Sequence, residues 1–375
     1  MNKRFFLLLT LQLIFVSVFA QKADEFDSYI KSFMKNDSVP GASFLVVKKG
    51  KIVKSGVYGY SNLELKVEAK QESVWELASV SKPITATCIM KLVEEGKINL
   101  DSSIYFYLGD AVTEKYRSVT IRQIMSHTGS IPSDHFVYTK LYAPTPIRYT
   151  VKEQLNDLFK LAPVGKPGGQ FLYSNASFFL QAAIIEKVTS ISFKDFVQQT
   201  IFEKAGMNHT YCMNGDSLIY NRSQVYTKRK GVWVRFSLET SLQALDANGF
   251  GGLMSTTNDL NLFIQALLAG KLISNESLKQ MLTITKLNDG TEAGPRSSKI
   301  GLGWFIKDID GKTCVSHSGH TGTVLLFYPK EELTIVFLSN LSAGISMLGD
   351  KGFRVGDMGF VLARMAMKKY GDQQQ

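Results

Sequence analysis

From Ile84 to Val93 the apolar residues Ile84, Ala86, Cys88, Ile89, Met90, Leu92 and Val93 run nearly all the way round a helix. A surface helix needs one apolar stripe, whereas a helix that is apolar on every side has to be covered on every side. The chain must therefore build layers around this segment. Pro83 suits a first helical turn, where a missing N–H costs nothing, and Gly96 marks the stop. The preceding stretch, Trp75-Glu-Leu-Ala-Ser79-Val-Ser-Lys82, reads as an extended lead-in that puts Ser79 at the helix start.

Ser79 and Lys82 stand three residues apart, so a helix brings their side chains within reach of each other. A serine hydroxyl is a weak nucleophile until a neighbour takes its proton, and burial favours the neutral amine that can do so. The helix N-terminus adds a backbone N–H for a developing oxyanion. The same residues equally fit a capping serine beside a lysine whose stem lies on apolar surface. Spacing does not choose between these readings. Ser28–Lys31 and Ser32–Lys35 repeat it in the amphipathic stretch 23–36, which reads as a solvated surface helix with Phe26, Ile30, Phe33 and Met34 inward.

With 375 residues, 45% hydrophobic and 20% charged, the chain can bury a large core and falls outside the disordered class. Residues 1–20 have the layout of a secretory signal: Lys3 and Arg4, an apolar run over 5–19, and Val18-Phe19-Ala20 for cleavage. That run is short for a membrane span, and no later segment is long enough. No cysteine stands at the cleavage site to take a lipid. An uncleaved N-terminal anchor is the competing reading. The expectation is an exported, periplasmic or secreted chain with no stable membrane span once the signal is removed. Net charge is +10, and loss of Lys3 and Arg4 leaves the mature chain at +8. The basic residues are scattered. Their one cluster, Lys228-Arg229-Lys230-Gly231, reads as a solvated turn, and no groove-reading motif accompanies it, so no nucleic-acid partner is expected. Cys88, Cys212 and Cys314 cannot form a disulfide framework. Cys88 reads as a small apolar filler, and a bridge between Cys212 and Cys314 stays open.

Along the chain, 42–48 and 51–60 read as two strands joined at Lys49-Gly50. After the central helix come helices over 119–125, with Thr120 at its start, 151–161, 176–189 and 193–202. The region 203–245 is irregular apart from a strand-like 232–236. Helices over 259–268 and 274–282 follow, then four strand-like runs, 302–307, 313–317, 324–328 and 333–339, and a helical tail near 346–369. Two strands, a long helical middle, then strands and a helix predict an α+β fold. Its antiparallel sheet is flanked by N- and C-terminal helices and carries a mostly helical insert. We expect one catalytic domain over 21–375, with the sheet part drawn from about 21–75 and 246–375 and the helical part from about 76–245. The cleft between the two layers is where a pocket would form.

Two further motifs carry chemistry. In Tyr173-Ser174-Asn175, at a loop-to-helix junction, a phenol can pass protons and a carboxamide can bond an amine and a substrate carbonyl together. The tripeptide recurs at Tyr60-Ser61-Asn62, where a strand-end turn is the simpler account. His317-Ser318-Gly319 ends a strand and His320 follows, where a backbone N–H can complete an oxyanion hole. His127-Thr128-Gly129 is a loop look-alike. Both histidines also fit ordinary loop imidazoles, and no carboxylate or Cys stands at ligand spacing, so no metal is expected. Gly311-Lys312-Thr313 has Ile306 where a phosphate loop needs glycine, Gly249-Phe-Gly-Gly-Leu-Met254 fails the dinucleotide pattern at its last position, and no Gly-x-Ser-x-Gly elbow occurs. No cofactor is expected.

Taken in order, Ser79-x-x-Lys82, Tyr173-x-Asn175 and His317-x-Gly319 make the chain closely resemble the serine beta-lactamase and penicillin-recognising family, in its class C-like branch. That branch includes D-alanyl-D-alanine carboxypeptidases, D-amino-acid peptidases and esterases. The resemblance covers about 23–369 and extends to Tyr58-Gly-Tyr-Ser-Asn-Leu-Glu64, Thr120-Ile-Arg-Gln-Ile-Met-Ser-His-Thr-Gly129, Pro167-Gly-Gly-Gln-Phe171, Gly251-Gly-Leu-Met-Ser-Thr256 and Gly301-Leu-Gly-Trp304. It implies a nucleophilic Ser79 that forms an acyl-enzyme, with Lys82 and Tyr173 sharing the proton work. It also implies an Asn175 that positions Lys82 and the substrate carbonyl. His317, Ser318 and Gly319 would wall the cleft, and the N–H groups of Ser79 and His320 would bind the oxyanion. The implied substrate is a small molecule or a fragment derived from peptidoglycan. One departure matters: His317 stands where class C beta-lactamases usually carry lysine. Both forms occur in the family, and the His form looks more like its peptidases and esterases. A histidine is mostly neutral at pH 7, which weakens the case for a carboxylate-bearing beta-lactam. The rival reading is a non-catalytic relative that binds peptidoglycan fragments and acts as a sensor or scaffold. The preferred acyl group depends on loops 130–150 and 203–248, whose shapes do not follow from sequence.

Overall fold

The computed structural model describes residues 24–132, 149–213, 218–236, 248–342 and 355–371. The expected signal at 1–20, the start of the expected tail helix and much of both loops thought to set acyl preference lie outside these residues. In chain order the strands are β1 (Gly41–Lys48), β2 (Lys51–Asn62), β3 (Val67–Glu68), β4 (Trp75–Glu76), β5 (Tyr211–Cys212), β6 (Tyr226–Arg229), β7 (Val232–Arg235), β8 (Leu253–Ser255), β9 (Lys299–Ile300), β10 (Phe305–Ile309), β11 (Lys312–Gly319), β12 (Thr323–Tyr328) and β13 (Leu333–Ser339). The described α-helices of five residues or more are α1 (Glu25–Asn36), α2 (Ser81–Glu94), α3 (Ile104–Leu108), α4 (Ile121–Met125), α5 (Val151–Lys160), α6 (Asn175–Thr189), α7 (Phe193–Val197), α8 (Thr257–Leu268), α9 (Asn275–Met281) and α10 (Val355–Tyr370).

The main sheet is antiparallel throughout, in the order β3-β2-β1-β13-β12-β11-β10-β9. N-terminal and C-terminal strands meet at β1 and β13, with Ala42 opposite Ser339 and Lys48 opposite Leu333. Both faces are covered, so β1 reads as a continuous apolar run instead of an alternation. Phe44 and Val46 face α1 and α10, where they pack with Phe26, Ile30, Leu362 and Ala363. Leu45 and Val47 face the other way and join the core around α2 and α6. Each such side chain contributes about 1.5–3 kcal/mol on full burial. Three hairpins turn on a left-handed pair, Lys49-Gly50, Lys230-Gly231 and Asp310-Gly311, as a two-residue type I′ connection requires.

The ends of α1 show why it forms. The Asp24 side chain accepts a hydrogen bond from the Phe26 N–H at 3.0 Å, and Lys35 lies in the last turn. Lys54 and the Tyr58 hydroxyl both donate to Asp27, which ties the helix to β2. Eleven of the fourteen residues of α2 are buried, so the helix is interior as its composition demands. α6 runs beside it and is buried without interruption from Ala176 to Ile185. The α+β class, the antiparallel sheet and the flanking helices are as expected.

Some details differ. The lead-in to α2 is the edge of a small second sheet, β4-β8-β5, and α3 lies within what reads as a connection. The segment expected as one helix over 193–202 is α-helical to Val197 and a π-helix over Gln198–Phe202. All three thiols are free, so Cys212 and Cys314 do not pair. Among the described residues no helix is long and apolar enough to cross a membrane.

Candidate active site

Ser79 sits in a 3-10 turn, Ala78–Val80, that feeds directly into α2. Ala78 has φ +45, a costly conformation for a residue with a Cβ, so the turn has to be held from outside. Several bonds hold it. Leu77 N–H donates to Leu253 O at 2.9 Å, and Leu253 N–H donates to the Ser81 hydroxyl at 3.2 Å. The hydroxyls of Thr321 and Thr323 donate to the carbonyls of Glu76 and Leu77 at 2.7 and 2.9 Å. The nucleophile turn is thereby fastened to β8 and to the β11–β12 turn.

Gly319 completes this junction. A Cβ there would collide with Leu77 O and the Thr323 hydroxyl and stand 3.2 Å from Ala78 Cβ. Glycine is the residue that lets β11 approach the Ser79 turn this closely.

Lys82 is fully buried. Its Nζ is 2.8 Å from Asn175 Oδ1, 2.7 Å from Phe250 O and 3.0 Å from Ser79 Oγ. Aromatic rings surround it, with Nζ 5.0 Å from the Tyr173 centroid and 5.7 Å from that of Phe178. Asn175 is the first residue of α6. The Ser174 side chain caps that helix, accepting from Ser177 N–H at 3.2 Å. The cap fixes where the phenol before it and the amide after it project.

Tyr173 is packed between imidazoles. Its ring stacks on His127 at 4.4 Å and 30° and lies 6.3 Å from His317. His317 is buried, and its Nδ1 lies 2.9 Å from Ser318 O. A carbonyl only accepts, so Nδ1 carries the proton and Nε2 a lone pair. Burial, and then the charge of Lys82, push the His317 pKa down to about 3 against the raising effect of the Ser318 bond. The third motif therefore presents an uncharged wall. Ser318, opposite Val324 in the register, lies on the α10 face of the sheet and not on the α2 face as a wall of the cleft would, and it borders a cavity of about 340 Å³ that Phe305, Ser316, His317, Val324 and Phe360 also line. His320 is at the exposed rim, with Nε2 3.2 Å from Ser342 Oγ and its ring 4.8 Å from that of Phe236.

Residues 79, 82, 173, 175, 317 and 319, dispersed over 240 positions of sequence, thus gather at one junction. The look-alikes do not. Ser28, Lys31 and Ser32 are exposed on α1, and Tyr60-Ser61-Asn62 closes β2. Two contributors escape the sequence reading: the Phe250 carbonyl, which as backbone has no sequence signature, and His127. The only signal for His127 is that His127-Thr-Gly129 copies the spacing of His317-Ser-Gly319. Among the described residues no group of three or more His, Cys, Asp or Glu could hold a metal ion.

Comparison with known proteins bears on the family and the fold. A family model described as Beta-lactamase matches residues 26–355. Protein flp of Staphylococcus aureus (strain N315) is 27% identical over 338 residues, 85% of this chain and 63% of flp. The chain thus spans just under two thirds of that relative's length. Penicillin-binding protein 4* of Bacillus subtilis (strain 168) is 30% identical over 314 residues, 79% of this chain and 67% of the other. In fold, the D-amino acid amidase from Ochrobactrum anthropi SV3, complexed with L-phenylalanine amide, aligns with a TM-score of 0.76 at 20% identity. That alignment covers 92% of this chain and all of the amidase. With the family match running from α1 to the start of α10, the chain belongs to the beta-lactamase family.

Proposed function

We propose that this chain is a serine hydrolase that opens amide or ester bonds through an acyl-enzyme on Ser79. The observation that carries the reading is the bonding of Lys82. Asn175 Oδ1 and Phe250 O only accept, and each takes one N–H of the amine. Ser79 Oγ, 3.0 Å away, occupies the third position: the charged amine donates to it, and once the amine has lost a proton its lone pair stands there to take the Ser79 proton.

In the acylation step Ser79 Oγ bonds to the substrate carbonyl carbon as its proton passes to Lys82 Nζ. The carbonyl pair moves onto oxygen, which takes the backbone N–H groups of Ser79 and His320. Collapse expels an amine or alcohol, which receives the proton from Lys82 with Tyr173 as relay. Water then attacks the acyl carbon by the same route, releasing an acid and restoring Ser79. The scheme needs no metal and no cofactor.

The neutral wall at His317 favours small esters and amino-acid amides over substrates recognised by a carboxylate, such as beta-lactams and D-Ala-D-Ala peptides. Likeness to a D-amino acid amidase supports the amide end of this range. We also take residues 1–20 as an export signal and 21–375 as one catalytic unit, on the layout of Lys3, Arg4 and the apolar run after them. Treatment with a fluorophosphonate and a fluorescent penicillin tests the reading. A hydrolase labels with at least one, and Ser79→Ala with neither. If neither probe labels the native chain and peptidoglycan fragments bind equally to Ser79→Ala, the chain is a binding protein.

A further inference from the structure

We infer that His127 is a positioning residue that holds the Tyr173 phenol over the Lys82 amine, an assignment that rests on the proton-relay role proposed above for Tyr173. His127 lies just past α4, in a loop, with φ +57. That backbone is uncommon for any residue but glycine, and here it lets one residue bond twice to the segment around Tyr173. Its carbonyl accepts from Leu172 N–H at 2.7 Å, and its ring Nδ1 accepts from Ser174 N–H at 3.0 Å. The two bonds flank Tyr173 on either side. The ring itself covers Tyr173 at 4.4 Å. The relay residue is held at its two neighbours and on one face by a single side chain and its own backbone. Asn175, one residue beyond Ser174, carries the Oδ1 that Lys82 bonds, and it is held separately by the capped first turn of α6.

The protonation state follows from the bonding. An Nδ1 that accepts leaves the ring proton on Nε2. Burial, then the charge of Lys82, then His317, hold the ring far below its ordinary pKa. Protonation would turn Nδ1 into a donor facing a donor and break the bond to Ser174. A histidine present only to fill the core is the competing account. Nε2 is buried with no hydrogen-bond partner among the described residues, an unfavourable state that Phe or Leu would avoid. The residue is therefore better explained by what Nδ1 does.

The test replaces the ring by amides that put a carbonyl oxygen in one of two places. In His127→Asn, Oδ1 stands near the position of Nδ1, and asparagine tolerates the left-handed backbone. In His127→Gln the oxygen stands nearer Nε2. Hydrolysis of a p-nitrophenyl ester is followed in both, in Tyr173→Phe, and in the double variants. A misplacement on the order of 1 Å costs about 10²-fold in rate. We expect His127→Gln to lose about that factor in kcat with KM nearly unchanged and His127→Asn to recover most of it. In the Tyr173→Phe background either change should cost less than about threefold, because the residue acts through the phenol. Equal losses in both backgrounds, or native kcat in a folded His127→Gln, overturn the assignment. Should His127→Gln not fold, His127→Phe, which keeps the ring and loses the acceptor, takes its place. If Tyr173→Phe itself turns over normally, the relay role fails and the clamp with it. If Tyr173→Phe collapses while His127→Gln does not, the clamp alone fails.

Discussion

Gly319→Ala isolates the contact on which the nucleophile turn depends. A Cβ at 319 would fall well inside 3.0 Å, the limit that real Cβ atoms respect, of both Leu77 O and the Thr323 hydroxyl. Leu77 O is backbone and is already held by Thr323, so β11 has to retreat. A retreat of about 1 Å at the junction predicts a loss of about 10²-fold in kcat/KM. The crowding should also cost about 1–3 kcal/mol of stability. Gly311→Ala, in the hairpin turn that precedes the same strand, is the control. Its φ of +75 makes alanine unfavourable, but nothing lies within 4 Å of the new Cβ. It should lose about 1 kcal/mol and no activity. Both variants are compared by ester turnover and by urea unfolding. Native kcat/KM in Gly319→Ala, or equal activity losses in the two, would refute the claim that β11 positions the Ser79 turn.

Two other outcomes are expected. His317 is neutral when folded, with its pKa pushed down to about 3, but charges near 6.5 when unfolded. The unfolded chain then binds more protons below that value, so stability falls with acidification between about pH 6.5 and 3, by roughly 2 kcal/mol at pH 5 from this ring. Urea midpoints measured from pH 7 to 5 should drop in the native chain and drop less in His317→Asn, and identical slopes would contradict this. His317→Lys should keep ester turnover and improve on carboxylate-bearing substrates, whereas complete loss of ester turnover would mean the wall has another role.

The parts of the fold legible in sequence are those set by local chemistry. The all-round apolar α2, the Lys49-Gly50 and Lys230-Gly231 turns, and the Thr120 cap of α4 each follow from a few adjacent residues. The small sheet β4-β8-β5 was not legible, because strands of two or three residues carry no periodicity. The join of β1 to β13 is fixed by pairing across nearly the whole chain and has no local trace. In the site, Ser79, Lys82, Tyr173 and Asn175 were legible as motifs, although each motif has a decoy elsewhere. Burial separates them: Lys82 is wholly enclosed while Lys31 and Lys35 are exposed. His127 was read as a decoy itself, since its contacts depend on a left-handed backbone that the residue type does not announce.

The central claim is that the Ser79 hydroxyl, facing the Lys82 amine, takes an acyl group. Mass spectrometry of the intact and digested chain, after brief incubation with a panel of activated esters, amino-acid amides and beta-lactams, tests it most directly. The account predicts an added acyl mass on the peptide that contains Ser79, and none in Ser79→Ala. An adduct on another residue, or undiminished turnover by Ser79→Ala, would contradict it.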